Sequence, residues 1–172
     1  MRKIFALAIV AVLTLSISGL KAQNYKFGHI NSQELLKAMP DRDSAEAKIR
    51  KYAESLQEQI EQIQVEFNKK YQDYLQKRAT FTDAIREMKE KELTDMQQRT
   101  QEYQQVAEQD YQRYQAETMK PVIDKADAAI KKVAKSNGFT YIFDTSSGVL
   151  LYFSEQSIDI TPLVKKELGI SN

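Results

Sequence analysis

From Asp43 to Met119 the chain runs 77 residues without a glycine or a proline, and this stretch limits the possible folds more than any other feature. Glycine and proline punctuate local structure, so nothing inside the stretch forces a turn. Fourteen glutamines lie between Gln57 and Gln115 among many charges, a composition too polar to bury a large core. Apolar residues nevertheless recur in a heptad. Ala53, Ile60, Phe67, Tyr74 and Phe81 follow at intervals of seven, and Ile49, Leu56 and Ile63 keep a second row that Lys70 and Lys77 continue. A seam sustained over about four heptads predicts a coiled coil, and two lysines in its second row predict a loosened far end. Around Ala79 to Asp83 the pattern breaks. Thr82 followed by Asp83 suits a helix N-cap with an acid in the first turn. A returning run then carries Ile85, Met88, Leu93, Met96, Tyr103, Val106, Tyr111 and Tyr114 at helical spacing. The pattern predicts an antiparallel hairpin whose first helix spans Asp43 to Arg78. A hairpin with one seam to bury needs an anchor elsewhere.

The flanks supply that anchor. Tyr25 to Ile30 reads as a strand, followed by a helical turn that stops at Met39-Pro40. Pro121, which has no N–H to donate, is expected to kink the second long helix or restart it. Beyond it Val122, Ile123, Ala126, Ala129, Ile130 and Val133 carry an apolar stripe to the Asn137-Gly138 helix stop. Phe139 to Phe143 is rich in aromatic and β-branched residues, Asp144 to Gly148 reads as a turn, and Val149 to Phe153 as its hairpin partner. Thr161 as N-cap with Pro162 at the first helical position opens a last short helix. Three short strands are too few to stand beside long polar arms, so the strands of several chains are expected to assemble into one body. The expected fold class is α+β, mostly α: a long antiparallel helical hairpin, a coiled-coil arm over 43–118, on a small β body built from 23–42 and 119–172 by oligomerisation. Phe27, Ile30, Phe139, Tyr141, Phe143, Leu150 and Tyr152 are the candidate oligomerisation residues.

The N-terminus reads as an export signal. Arg2 and Lys3 precede an uncharged run from Ile4 to Leu20, then Lys21-Ala22-Gln23, which predicts a secretory leader over 1–22 with cleavage near Ala22. Seventeen residues sit at the short end for a membrane span, and Thr14, Ser16, Ser18 and Gly19 weaken the run as an anchor. The chain has no cysteine, which rules out a lipoprotein anchor, disulfide staples and thiolate chemistry. The whole chain carries 25 basic and 24 acidic residues. Three of the bases and none of the acids are in the leader, so the mature chain has a net charge of −2. Nucleic-acid binding usually asks for a clearly basic domain and is not expected.

Catalytic signals are sparse. His29 is the single histidine, without an imidazole partner for a metal site or a triad; a structural role in the first strand accounts for it. Asp144 and Asp159 sit where aspartate makes local hydrogen bonds in turns and caps. With no accompanying nucleophile, phosphate loop or glycine fingerprint, the expectation is no enzyme, no cofactor and no metal.

Taken in order, these segments resemble the Skp/OmpH family of periplasmic chaperones over the whole mature chain. The resemblance rests on Phe27-Gly28-His29-Ile30-Asn31-Ser32-Gln33-Glu34-Leu35-Leu36 with Met39-Pro40, and on the turn and returning helix from Thr82 to Leu93. The most specific part is Ala129-Ile130-Lys131-Lys132-Val133-Ala134 with Asn137-Gly138-Phe139. It continues through Tyr141-Ile142-Phe143-Asp144, Val149-Leu150-Leu151-Tyr152 and Asp159-Ile160-Thr161. The resemblance implies a homotrimer in the periplasm, with a β-barrel body from three chains and three arms around a cavity. It also implies that unfolded outer-membrane β-barrel proteins are held there without ATP. Arms of the best-known members are basic, whereas Asp43 to Glu117 here carries 12 basic and 16 acidic residues.

A surface that binds many sequences weakly favours adaptable side chains such as Met and Tyr. Phe67, Tyr71, Tyr74, Met88, Met96, Tyr103, Tyr111 and Tyr114 are therefore the candidate client-binding residues. Phe67, Tyr74 and Met96 fall on the seam or its partner row, where packing the two helices is the simpler role; Tyr71 lies off it. Between Lys69 and Lys91 the charge turns basic, with seven bases against four acids. Lys69, Lys70, Lys77, Arg78 and Arg86, with Lys89 and Lys91, are candidates for contact with anionic lipid or lipopolysaccharide, although a solvated charged helix end is the commoner explanation of such a run. The other functional class is an adaptor coiled coil of the envelope that binds one folded partner. An adaptor should carry a continuous second apolar stripe, and the arm shows scattered aromatics instead.

Overall fold

The computed structural model describes residues 25–170; the expected leader lies outside them. Strand β1 (Phe27–Ile30) is followed by a short helix α1 (Ser32–Lys37) and a long helix α2 (Pro40–Lys77). A 3₁₀ turn at Arg78–Thr80 leads to the second long helix α3 (Asp83–Ser136). Strands β2 (Tyr141–Asp144) and β3 (Ile158–Asp159) and the helix α4 (Thr161–Glu167) complete the chain. The mostly helical α+β fold is the expected one. At ~1.5 Å per residue, α2 with 38 residues reaches about 57 Å and α3 with 54 about 81 Å. Among the described residues no helix is long and apolar enough to cross a membrane.

Helix boundaries follow local chemistry. Pro40 opens α2 in its first turn, where the missing N–H costs nothing, so the proline that closes the preceding turn also begins the arm, three residues earlier than Asp43. Thr82 caps α3, its side chain accepting from the Ile85 amide. Pro121 neither kinks α3 into two helices nor restarts it; the helix runs through it. A proline removes one backbone bond, and the buried stripe Val122, Ala126, Ala129 and Val133 immediately beyond holds the helix to the core. Gly138, at φ +69°, ends α3 as a left-handed stop. At α4 the N-cap is Ile160, not Thr161. The Asp159 carboxylate accepts from the amide and hydroxyl of Thr161 instead, so the capping oxygen comes from one residue further back.

The sheet departs from the expected hairpin. It has three strands in the order β2-β1-β3, with β1 parallel to both neighbours. Phe27 to Ile30 pair with Tyr141 to Asp144, and Gly28 and His29 with Ile158 and Asp159. Phe139 and Thr140 precede β2, tied to β1 by the Thr140 amide on the Lys26 carbonyl at 2.8 Å. Val149 to Phe153 forms no strand. Asp144 turns the chain away at the end of β2, its carboxylate accepting from the Ser146 amide, and among the described residues the outer edge of β2 stays unpaired.

The core sits at the base of the arm. Ile30, Leu35, Met39, Ala45, Val122, Ala126, Ala129, Val133, Ile160 and Val164 form one buried cluster, which clamps the sheet, α1 and α4 onto the ends of the long helices. Gly28 is buried within it. A Cβ there would lie 2.9 Å from Ile142 Cδ1, 3.0 Å from the Phe139 ring and 3.1 Å from Ile160 Cγ2. Only glycine lets β1 come this close to its neighbours.

Candidate functional site

Two surfaces remain once the core is assembled: the arm and the outer face of the sheet. Along the arm, α2 and α3 meet through Tyr52 stacked on Tyr114 with centroids 4.1 Å apart, then Tyr103 donating to Gln59, then Lys70 with Glu92 and Tyr74 with Glu90. Buried apolar positions are concentrated at two levels. Ala45 joins the base core, Ile49 is buried one turn further along α2, and Tyr74, Leu93 and Met96 close the far end; between them, among the described residues, only Ala107 is buried. The glutamines bond along their own helices, as in Gln57 to Glu61, Gln98 to Glu102 and Gln112 to Glu108.

The candidate client-binding residues therefore divide. Tyr74 and Met96 are buried in the seam, Tyr103 and Tyr114 make the cross-arm contacts above, and Tyr111 is half-buried beside a mid-arm hollow. Phe67 is half-buried and its ring stacks on Tyr71, centroids 6.0 Å apart. Tyr71 and Met88 are exposed, Met88 by 58%. Exposed Val65, Leu75, Ile85 and Val106 add to the arm's apolar surface. Of these, Val65 and Leu75 lie off the heptad rows that organised the sequence reading.

The tip is less bare of partners than a basic run suggests. Lys70 bridges Glu92 on the facing helix and Glu66 on its own, Lys77 pairs with Asp73, Arg86 with Asp83 and Lys89 with Glu92. The hydrogen bond from Lys70, then that from Lys89, holds the Glu92 carboxyl down at about 2, and the Lys70 ammonium is raised in return, first by its bond to Glu92. Tyr74 is raised by donating to Glu90 and by burial. Lys70 thus fastens the hairpin end that its place in the seam was expected to loosen. The long flexible side chain reaches past the seam to a carboxylate on the other helix.

The sheet presents an aromatic face. Side chains alternate along β1. Gly28 and Ile30 point into the core; Phe27 and His29 point away from it. Phe27 lies among Tyr25, Tyr141 and Phe143 at centroid distances of 6.1 to 6.3 Å. The His29 ring lies 4.3 Å from Phe153, and its Nδ1 is 2.9 Å from Ser157 Oγ, which pins the β2–β3 connection. In that connection Val149, Leu151 and Tyr152 are exposed by 83%, 95% and 79%, while Leu150 is half-buried. Of the candidate oligomerisation residues, Ile30 is 2% exposed in the chain's own core and Phe139 packs against that core under Lys26, so both are spent within the protomer. Phe27, Tyr141, Phe143, Leu150 and Tyr152 remain on the open side, four of them exposed.

Asp144 anchors this face to the start of α1. Its carboxylate accepts from Ser32 Oγ at 2.6 Å, the Ser32 amide at 3.2 Å, and the amide and hydroxyl of Ser146 at 2.9 and 2.8 Å. Burial pushes its pKa up, but the four donors outweigh it and the net shift is downward. This is a bracket between β2 and the start of α1, with three of the donors on Oδ1 and the Ser32 hydroxyl on Oδ2. Among the described residues, no group of three or more His, Asp or Glu side chains is arranged to hold a metal.

Comparison with known proteins places this geometry. The model of the family described as outer membrane protein (OmpH-like) matches residues 26–168. No curated protein matches the chain. Six solved chains do. One is the crystal structure of a candidate outer membrane chaperone (OmpH-like) from Caulobacter crescentus CB15. It is 12% identical with a TM-score of 0.73, the match covering 84% of this chain and 83% of that one. At this identity the likeness is one of fold.

Proposed function

The chain belongs to the OmpH-like family, and from that premise we propose that it is an ATP-independent holdase chaperone of the periplasm. In this reading it is exported by a leader cleaved near Ala22. It assembles as a homotrimer through the aromatic face of the sheet, and it holds unfolded outer-membrane β-barrel proteins between its arms so that they do not aggregate. The observation that carries the reading is the arm itself. It is a long hairpin whose helices are fastened at base and tip, loosely packed between, and studded with exposed Val65, Tyr71, Leu75, Met88 and Val106 among glutamines and charges. Scattered adaptable side chains on a surface without a continuous second stripe suit many weak contacts with unfolded chains better than one folded partner. The aromatic face supports assembly, since neighbouring exposed apolar side chains such as Phe27, Tyr141, Phe143 and Tyr152 commonly mark an interaction surface.

The test dilutes an unfolded outer-membrane β-barrel protein from urea into residues 23–172 without ATP and follows aggregation by light scattering. Suppression at about one assembly per client is the expected result. A stable assembly that leaves the client to aggregate would replace the holdase reading with that of an envelope adaptor. Anionic lipid at the tip is a lesser part of the proposal. Four of the candidate bases there, Lys70, Lys77, Arg86 and Lys89, are already paired with carboxylates, so any such contact falls first to Lys69, Arg78 and Lys91.

A further inference from the structure

Charge is unevenly spread along the arm. Residues 54–66 carry four acids and no base, and 92–110 five acids and one base, whereas 69–91 carry seven bases and four acids. Most of the tip bases are answered by carboxylates. Mid-arm is different. Among the described residues no lysine or arginine pairs with Glu54, Glu61 or Glu108; Glu61 accepts from Gln57 and Glu108 from Gln112 instead. This is also where the seam opens. Ala53, Leu56, Ile60, Ala107 and Tyr111 line a hollow of about 260 Å³ between the two helices, and the exposed Glu108 lines it as well. Gln57 lines its α2 side, and Glu54 and Glu61 lie three and four residues to either side of Gln57, on the same helix face. The hollow is smaller than the ~300–1,000 Å³ of ordinary ligand clefts, so it takes an apolar side chain or two rather than a whole small molecule.

We propose that this hollow takes an apolar side chain of an unfolded client whose sequence neighbours are lysine or arginine, so that the arm selects cationic client segments over anionic ones. The inference rests on the reading of the arms as the client-holding surface, and it names the client chemistry which that surface fits. Contact with Leu56, Ile60 and Tyr111 supplies an attraction common to all clients, because apolar burial is non-directional and grows with the area removed from water. Charge supplies the choice. Glu61 has no lysine or arginine within seven residues on either side of it in α2. That is about 10 Å of helix, more than the ~8 Å Debye length at physiological ionic strength. The carboxylates on both helices therefore act on whatever enters between them. A surface lined by one sign of charge raises the local concentration of oppositely charged ligands and their on-rates by ~10–10³, and it repels segments of its own sign.

The experiment uses residues 23–172 and two unfolded peptides of equal length with the same apolar residues in the same order, one interspersed with lysines and the other with glutamates. Binding is followed by fluorescence anisotropy, and the place of contact by a photo-crosslinking residue at Gln57. A second protein carries Glu54→Gln, Glu61→Gln and Glu108→Gln, exchanges at exposed positions that keep side-chain size and helix preference; circular dichroism checks its fold. The lysine peptide is expected to bind at least ~10-fold more tightly than the glutamate peptide at low ionic strength and to form adducts at Gln57. Most of that advantage should vanish in the glutamine variant, and likewise at high salt. Equal binding of the two peptides, tighter binding of the glutamate peptide, or a preference that the glutamine variant keeps in full would overturn the proposal. Suppression of aggregation of an unfolded outer-membrane β-barrel protein is measured on the same samples. A chain that fails the peptide test but suppresses aggregation refutes this selectivity alone, whereas one that fails both refutes the holdase reading as well.

Discussion

Lys70 on α2 and Glu92 on α3 form an ion pair across the hairpin end, and Lys89 holds the other oxygen of the same carboxylate. Glu92 ionises at about 2, below the ~4.3 of a free glutamate. A carboxyl with a depressed folded-state pKa contributes stability that is present above its unfolded pKa and lost as pH falls through the folded one. Hydrogen-exchange protection of residues 66–96 should therefore hold from neutral pH to about pH 5 and decline toward pH 2, while protection at 122–133 persists. Glu92→Gln should lower protection at the tip at pH 7 and remove this pH dependence. Unchanged protection in that variant would mean that Tyr74, Leu93 and Met96 hold the hairpin end without the ion pair.

Gly28 should tolerate no side chain. A Cβ would press on Ile142, Phe139 and Ile160 together, and overpacking of this kind costs about 1–3 kcal/mol. Gly28→Ala should lower the denaturant midpoint accordingly without changing the helical content of the native state. A midpoint within error of the parent would show that β2 and α4 can move away from β1.

Asp144 should matter for the sheet more than for the arm. Asp144→Ala leaves the half-buried Ser32 and Ser146 donors without their acceptor, a loss of about 0.5–1.5 kcal/mol for a hydrogen bond that water can partly replace. Exchange at β2 and at the start of α1 should accelerate, while Tyr103 and Met96 on the arm keep their environment by NMR. Because the carboxyl is held low in the folded chain, this contribution should also fade on acidification below the usual carboxylate range. Protection in the parent no greater than in Asp144→Ala at neutral pH would contradict the bracket.

On the assembly face, Tyr141→Glu with Tyr152→Glu should reduce the assembly to monomers while circular dichroism stays unchanged. Both side chains are mostly exposed in the single chain, 58% and 79%, so the protomer loses no core contact. An unchanged particle mass would remove the sheet face from the account of assembly.

The sequence made some of these features legible and hid others, for physical reasons. In α2 the heptad rows led to Ile49 and Tyr74, both buried. In α3 the run led to Leu93 and Met96, which are buried, but Ile85, Met88 and Val106 are exposed, whereas Ala107 is buried, because a narrow two-helix seam takes the small residue and leaves the larger neighbour on the flank. Val149 to Phe153 has the composition of a strand, yet the position beside β1 belongs to Ile158–Asp159, a two-residue strand that no composition marks. Alternation along β1 groups Phe27 with His29 and Gly28 with Ile30, but it does not say which pair faces inward; the close fit around Gly28 decides that. Polar reach was the other gap. Lysines in a seam read as defects until the facing helix supplies Glu92.

Where an unfolded client touches the chaperone is the most direct test of the account. A photo-crosslinking residue at Tyr71, on the exposed side of the arm, is compared with one at Glu167, which pairs with Lys132 at the base. Each is placed in residues 23–172 and mixed with an unfolded outer-membrane β-barrel protein. The account predicts client adducts at Tyr71 and few or none at Glu167. Adducts at Glu167 with none at Tyr71, in an assembly that still suppresses aggregation, would contradict the claim that the arms hold the client.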